Sequence, residues 1–448
     1  MFQALREMDR HQWSAALAAF AGWALDAFDF FLMVFMFEAI AHEFHAKVPA
    51  VAAASAVTLA ARPFGAFFFG QLADRYGRRP VLMTVILLYS VFELASAFAP
   101  SLAVLLVLRA LFGFAMGGEW GVGASLALES IPPKARGLIS GFLQEGYAVG
   151  YLLAALVFAL LFKLIGWRGM FIVGVAPALL SAFIFLGVKE SPAFVARKAA
   201  GTHAAHPHVW LLGAGALVVA LAPSVISAVA HIAPTSTIYL ICVPVGLAGL
   251  WVFRSHWRMA LYLAVMMTAF NLFSHGTQDL YPTFLHSRGF DPARAGLTTA
   301  IGNVGAIIGG ILVGGWSERL GRRRAVVAAA VASLLVVPLW AFSHTMGLLA
   351  AGAFLMQACV QGAWGVIPAH LNELAPEDAR GAFPGFVYQL GNLFASGLVV
   401  GQAKFAAARH GDYGLALAVT AGAVALVIVL VVAFGPERRG AALAIAED

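Results

Sequence analysis

Apolar residues in this chain come in long, nearly uncharged runs, and that feature decides the solvent in which it folds. Crossing the hydrocarbon core of a bilayer as a helix takes about 20 mostly apolar residues. Six runs of that size fall between about residues 12 and 188, and six more between about 258 and 434. Two further runs, about 209–229 and 236–253, lie between these sets and are interrupted at Ala233-Pro234. The expectation is an all-α integral membrane protein of about 14 spans. An N-terminal six-helix half occupies 1–188, a central loop with two additional helices 189–253, and a C-terminal six-helix half 254–448. Hydrophobic residues make up 61% of the chain and charged ones 11%, where soluble domains average ~45–50% and ~25%. A soluble enzyme, a disordered chain and a secreted disulfide scaffold are thereby excluded. Cys242 and Cys359 sit far apart in apolar stretches and match no disulfide framework or metal-ligand spacing, so they read as buried small hydrophobes.

A net charge of +6 suggests nucleic acid in a soluble protein. Here the basic residues fall in short loops between apolar runs, which is the positive-inside pattern. One side collects Arg6, Arg10, Arg75, Arg78, Arg79, Lys134, Arg136, Arg254, Arg258, Arg319, Arg322, Arg323, Arg324, Arg438 and Arg439, among others. The other side has only scattered bases, partly offset by acids such as Glu38, Glu43, Asp291 and Asp412. Both termini are expected in the cytoplasm of a plasma membrane, bacterial inner membrane by preference. Met1 to Gln12 is too polar for a cleavable signal peptide.

The chain also repeats itself. Gly70-Gln-Leu-Ala-Asp74-Arg75-Tyr-Gly77-Arg78-Arg79 returns as Gly314-Gly-Trp-Ser-Glu318-Arg319-Leu-Gly321-Arg322-Arg323, an offset of 314 − 70 = 244. Ala135-Arg136-Gly137 and Ala379-Arg380-Gly381 share that offset, as do Glu129/Glu373, Phe142/Phe386 and Trp13/Trp257. Two related halves of six helices resemble the major facilitator superfamily, whose loop between its second and third helices is matched at Gly70, Asp74, Arg75, Gly77, Arg78 and Arg79. The resemblance covers nearly all of the chain except the insert. It implies the superfamily fold, with these residues and Glu318, Arg319 and Arg322 holding a cytoplasmic gate closed in one state. Physically, Gly70 permits close helix approach, and Asp74 can face the positive end of a neighbouring helix. Gly113, Gly117 and Gly121 form a small-residue ladder on the fourth span. Arg109 resembles the superfamily's fourth-helix arginine, often linked to proton coupling. Glu119 sits within the ladder and reads either as a carboxylate hydrogen-bonded between helices or as a functional acid. Gly150 lacks the following proline of superfamily antiporters, which favours symport or uniport.

Ionisable groups inside spans cost several kcal/mol unless paired or facing water, so they point to the substrate path. The first span carries Asp26 and Asp29, and the second a stripe of Ser55, Thr58 and Arg62. On the seventh, Asn271, Ser274, His275, Gln278 and Asp279 share one face. At ~1.5 Å per residue, Arg62 lies within about 3 Å of its helix midpoint, and Asp26 and Asp29 within about 7 Å of theirs. His275 and Asp279 lie about 6 and 12 Å outward of centre. A mid-membrane arginine suits a carboxylate, because its planar fork offers two parallel hydrogen bonds. The same arginine could instead form an ion pair with Asp26 or Asp29. Trp23, Phe30, Phe31 and Trp120 read as packing residues that can also shape a pocket, and Glu93, Glu145 and His370 as packing or gate groups.

The seventh span also resembles the signature Asn-x-x-(Ser/Thr)-His-x-(Ser/Thr)-Gln-Asp-x-x-x-Thr of fungal lactate/pyruvate proton symporters. Asn271, Ser274, His275, Thr277, Gln278, Asp279 and Thr283 match each specified position. Arg62 is similar to that family's second-helix arginine. The 14-span plan resembles bacterial sialic acid symporters of the same wider sialate/carboxylate group. The resemblance implies proton-coupled symport of small monocarboxylates by alternating access, with sialic acid or another larger organic acid as the alternative. Arg62, Asn271, Ser274 and Gln278 would then contact substrate. Histidine titrates near pH ~6.5, and His275 with Asp279 would carry the proton, Asp26 and Asp29 being the rivals. The partners expected are a small carboxylate, a proton and the lipid bilayer, with no nucleic acid and no cofactor or metal, and the chain working as a monomer. No nucleophile elbow, phosphate loop or metal-ligand cluster speaks for an enzyme, and the short tails do not suit a sensor.

Overall fold

The computed structural model describes residues 6–200, 208–230 and 234–441. The first half holds α1 (Arg10–Phe35), α2 (Phe37–Glu43), α3 (Val48–Tyr76), α4 (Arg78–Ala97), α5 (Leu102–Ser130), α6 (Arg136–Gln144), α7 (Gly146–Val173), α8 (Ala178–Gly187) and α9 (Pro192–Ala199). The insert contributes α10 (Val209–Ala230) and α11 (Val243–Gly249). The second half comprises α12 (Trp257–Gln278), α13 (Tyr281–Ser287), α14 (Pro292–Leu320), α15 (Arg322–Phe342), α16 (Met346–Trp364), α17 (Ile367–Leu374), α18 (Phe383–Ala395), α19 (Leu398–Ala408) and α20 (Tyr413–Ala433). The described residues contain helices and no strand.

Eleven of these helical stretches are long and apolar enough to cross a membrane, or up to 12 if the bent pair α8 and α9 is one span. The expected count was 14, and the difference has two local causes. Residues Ile238–Ser287 run as one helical stretch of 50 residues, where the sequence reading placed an insert helix and the seventh span. The eleventh expected span is broken at Ser396 and Gly397, leaving α18 and α19 each too short to count alone. The expected interruption at Ala233 lies outside the described residues.

Small residues set the helix contacts. A Cβ on Gly65 or Gly113 of α3 and α5 would overlap the backbone of Phe114 or Thr58. On α14, Gly305 and Gly309 meet the backbone of Phe354 and Ala358 on α16 in the same way. Such contacts let backbones approach where lipid supplies no hydrophobic drive between helices. The two halves meet where Gly141 of α6 touches the backbone of Gly310 on α14, and where Gly70 of α3 touches Ala382 before α18. Gly77 and Gly321 separate α3 from α4 and α14 from α15 with φ of 111° and 96°, a region that costs a residue with a side chain.

The insert lies across one seam between the halves. Gly213 of α10 packs on Phe68 of α3, and Ser224 Oγ donates to Leu106 O of α5 at 3.1 Å. Gly246 of α11 faces Leu390 and Leu393 of α18. Phe253, just beyond α11, has rings of both halves as neighbours, Phe67 at 6.4 Å and Phe386 at 5.7 Å. Leu211, Val218, Leu240 and Trp251 are left exposed on the outer side, as a lipid-facing surface requires.

Candidate functional site

Between the halves lies a cavity of ≈ 40 Å³, room for roughly three water molecules. Helices α1, α3, α6 and α7 supply Trp23, Phe30, Leu59, Arg62, Gln144 and Tyr147. The facing wall comes from α12, α16 and α18, with Asn271, Ser274, His275, Gln361, Trp364, Tyr388 and Asn392. Beneath it Tyr388 stacks on Trp120 at 4.4 Å, with Trp364 and Trp23 edge-on at 5.4 and 6.1 Å. These rings close the space toward the arginine-rich end.

Arg62 is the one lysine or arginine lining the cavity. Its Nη2 donates to Asp26 Oδ1 at 2.6 Å and lies 2.7 Å from Met116 Sδ, with the guanidinium 5.7 Å from the Phe30 ring centre. The ion pair is buried, Arg62 at 4% exposure and Asp26 at 1%. Only one edge of the guanidinium is engaged, since Nε has no hydrogen-bond partner and Asp26 Oδ2 has none either. Two further donors on lining residues, Trp23 Nε1 and Trp364 Nε1, are buried without a partner. Against these three donors the lining has one buried unpartnered acceptor, Gln144 Oε1, so the balance of unused groups is the polarity an anion needs.

The opposite wall carries a histidine–aspartate pair beside amides and a hydroxyl. His275 Nδ1 pairs with Asp279 Oδ2 at 3.0 Å, and its Nε2 lies 3.5 Å from Asn392 Oδ1. Gln361 Nε2 donates to Ser274 Oγ at 3.2 Å, and Asn271 Nδ2 to Met267 O at 2.8 Å. The side chains of His275 and Asp279 are 27% and 35% exposed, so this pair stands at the mouth and not at the dry end.

Of the residues expected at the site, Arg62, Asn271, Ser274 and His275 line the cavity, Asp26 adjoins it through Arg62, and Asp279 through His275. Gln278 is turned away, donating to Gln357 Oε1 at 2.8 Å. Asp29 is buried outside the lining, and neither of its oxygens has a partner. Glu119 does not hydrogen-bond between helices; both its oxygens are buried and unpartnered. Arg109 is bound to Glu93 at 2.6 Å and Ser96 at 2.9 Å and lies against Phe112 and Phe171. Sequence reasoning missed Gln144, Tyr147, Gln361, Trp364, Tyr388 and Asn392. Trp364 was within reach, because it is Trp120 displaced by 244.

The arginine-rich ends are tied together twice. Asp74 accepts from the backbone N–H of Gly381 at 2.9 Å and Ala382 at 3.2 Å, just ahead of α18. Glu318 accepts from the N–H of Gly137 at the start of α6. Behind each acid an arginine bridges to a second carboxylate. Arg78 reaches Asp74 at 2.9 Å and Glu129 at 3.2 Å, while Arg322 reaches Glu318 at 2.7 Å and Glu373 at 2.8 Å. Arg75, Arg79 and Arg319 stand outside these bridges; Arg79 Nη2 donates to Phe185 O at 2.5 Å. Glu190 and Glu437, which no motif singled out, cap α4 and α15 by accepting the N–H groups of Arg78 and Arg322 at 3.0 and 2.5 Å. Burial raises the Glu190 carboxyl above its ordinary range, against the lowering effect of the backbone N–H groups of Ser191, Arg79 and Arg78. With these ties made, the molecule is closed at its arginine-rich end, and the His275–Asp279 mouth lies on the other side.

Known proteins share this plan. The family model for "Sugar (and other) transporter" matches residues 14–208 and 259–438. A carboxylic acid transporter protein homolog of Saccharomyces cerevisiae is 26% identical over 97% of this chain and 70% of its own length. The sialic acid transporter NanX of Escherichia coli is 26% identical over 95% of each chain. A probable 4-methylmuconolactone transporter of Cupriavidus pinatubonensis is 28% identical over 95% of this chain and 91% of its own. The proton:xylose symporter XylE has the same fold, with a TM-score of 0.74 at 18% identity over 96% of this chain and 97% of that one. The chain is therefore a multi-pass membrane transporter and not an enzyme, and it belongs to the sugar (and other) transporter family of the major facilitator superfamily.

Proposed function

We propose that this secondary transporter carries small monocarboxylates such as lactate and pyruvate together with a proton. The observation that carries this reading is Arg62: one buried guanidinium in a small cavity, half engaged by Asp26, with unpartnered indole donors on Trp23 and Trp364 around it. A carboxylate takes the free edge of Arg62. Ser274 and Asn271 orient its polar substituent, and Gln144, whose Oε1 is unpartnered, accepts from a hydroxyl. The carboxylic acid and sialic acid transporters among the yeast and Escherichia coli relatives support an organic acid. The size of the cavity supports a small one over sialic acid.

Coupling follows from competition at Arg62. Asp26 and the substrate carboxylate both seek the same guanidinium, so a proton on Asp26 loosens its hold and frees Arg62 for the anion. His275 and Asp279, at the wet mouth, receive that proton from the outer solution. One proton with one monocarboxylate crosses without net charge. The halves then rock about the cavity as the ties at Asp74 and Glu318 open, in the alternating access of such folds. Both termini, the arginine-rich loops and the closed gate are placed in the cytoplasm by the positive-inside rule. The 50-residue stretch Ile238–Ser287 is about 75 Å long if helical throughout, and we read it as two crossings; with α8–α9 and the broken α18–α19 each read as one further crossing, the path has 14 spans.

The deciding experiment is counterflow of radiolabelled lactate in proteoliposomes, competed by pyruvate, acetate, succinate and sialic acid. Pyruvate and lactate should compete strongly and sialic acid weakly. Accumulation should follow an inward proton gradient and fail on a sodium gradient alone. Preferential displacement by sialic acid, or sodium-driven uptake indifferent to a protonophore, overturns the reading.

A further inference from the structure

A second cavity, ≈ 1100 Å³ in volume, opens on the C-terminal half at the arginine-rich end and has no part in the central site. Five arginines from three helix ends form its head: Arg319 at the end of α14, Arg323 and Arg324 at the start of α15, Arg438 and Arg439 past α20. Its floor runs down α15 along Val327, Val331 and Leu335, of which Val331 and Leu335 are 42% and 80% exposed. Polar head and apolar furrow are continuous.

The charges at the head are unequally used. Arg323 caps α20, with Nε donating to Val432 O at 3.0 Å and Nη2 to Ala433 O. Arg439 Nη1 donates to the carbonyls of Glu318 and Arg319 at 3.2 and 3.1 Å. Glu437, the one acid lining the cavity, accepts the backbone N–H groups of Arg322 and Arg323. The guanidinium groups of Arg319, Arg324 and Arg438 make no hydrogen bond or ion pair among the described residues. Trp316, one turn before Arg319 and 51% exposed, marks the level where indoles settle between headgroup and hydrocarbon. The free arginines thus stand at headgroup depth, and the furrow beneath them lies in the acyl region.

We propose that this groove binds an anionic phospholipid. Arg319, Arg324 and Arg438 hold its phosphate, and one acyl chain lies along Val327, Val331 and Leu335. A free phosphate would leave the furrow unfilled, and a zwitterionic lipid would bring its own cation to a cationic head. Basic pockets at the cytoplasmic edge of membrane helices recognise anionic headgroups by this combination. The site is independent of what the central cavity carries.

The test is native mass spectrometry of the full chain in detergent, titrated with phosphatidylglycerol, cardiolipin and phosphatidylcholine, with inorganic phosphate as a soluble competitor. Phosphatidylglycerol and cardiolipin should be retained at least about 10-fold more tightly than phosphatidylcholine. The double variant Arg324→Gln/Arg438→Gln should lose roughly 10- to 30-fold of that preference, while Arg324→Lys/Arg438→Lys keeps part of it. Both positions are exposed, and unchanged phosphatidylcholine retention and melting temperature show that the variants are folded. Equal retention of all three lipids, an undiminished preference in the Gln variant, or displacement of lipid by an equal concentration of phosphate overturns the proposal.

Discussion

The two halves agree at their gates and disagree in the cavity. Shifted by 244, Asp74 becomes Glu318, Arg78 becomes Arg322, Glu129 becomes Glu373, and Gly381 answers Gly137. Each acid ties its own half to the backbone of the other. In the membrane interior the same shift turns Asp26 into Phe270, Asp29 into Phe273, Arg62 into Ala306, Arg109 into Ala353 and Glu119 into Ala363. In reverse, Asn271, Ser274, His275 and Asp279 correspond to Ala27, Phe30, Phe31 and Phe35. Closing a gate loads both halves alike, so both keep the same clasp. Holding an anion needs one cation, and a second guanidinium opposite the first would repel it across a dry space. The first half therefore supplies the cation and its acid, and the second supplies most of the amides and the His275–Asp279 pair.

The sharpest way to break this comparison is to change the cation without changing its charge. Arg62→Lys should lower lactate counterflow by on the order of 100-fold, because an ammonium cannot offer a substrate carboxylate two parallel bonds. Counterflow close to wild type in a folded Arg62→Lys protein would take Arg62 out of the binding site. Next in size are the acids. Asp26→Asn removes the competitor for Arg62, so binding and exchange should persist while accumulation driven by a proton gradient falls at least about 10-fold. Asp279→Asn should lower accumulation by less, since it only slows proton entry at the mouth. A larger loss in Asp279→Asn than in Asp26→Asn moves the coupling site to the second half.

Much of this contrast was legible in the sequence, for physical reasons. Charges inside apolar runs are conspicuous, so Arg62, Asp26, His275 and Asp279 could be named before any fold was seen. The gate was legible because it is duplicated. Gln361, Asn392 and Tyr388 were not, because an uncharged amide or phenol is equally explained by an interhelical hydrogen bond, and only their convergence on one cavity distinguishes them. Gln278 shows the opposite limit: it shares a helix face with Ser274 and His275, yet a neighbouring Gln357 on α16 turns its amide aside. The break between α18 and α19 escaped notice because no proline or charge marks it.

At the gates the comparison predicts equality. Asp74→Asn and Glu318→Gln each weaken one charge-assisted tie between the halves, and each should raise labelling of an introduced cavity cysteine, Leu59→Cys, by a reagent from the arginine-rich end about 3- to 10-fold. The double variant should exceed either alone. If Asp74→Asn opens the molecule and Glu318→Gln does nothing, the clasp is not symmetric in energy, whatever its geometry.

The smallest expected effect lies at the opposite end, where the halves again differ. Arg168 Nη1 donates to Ala97 O at 2.6 Å, and Arg288 Nη2 donates to Ala341 O at 3.4 Å, the carbonyl 244 residues on. Each arginine ties down the end of an equivalent helix. Arg168, however, is also held by Glu43 at 2.7 Å, whereas Arg288 has His344 Nδ1 at 3.2 Å. The hydrogen bond from Arg168 is the main cause that holds the Glu43 carboxyl below its ordinary range. A group lowered on folding stabilises the protein above its unfolded value and loses that contribution as pH falls through the folded one. Both side chains are well exposed, 38% and 44%, so solvent screens the pair and it is worth at most about 1 kcal/mol. Glu43→Gln should therefore lower the melting temperature at pH 7 by no more than about 2 °C. The difference from wild type should vanish as pH is lowered below the usual carboxylate range, because Glu43 is then neutral in both states. A deficit that persists in acid would mean that Glu43 acts through its 2.5 Å bond from Trp167 Nε1 or through packing, and not through its charge.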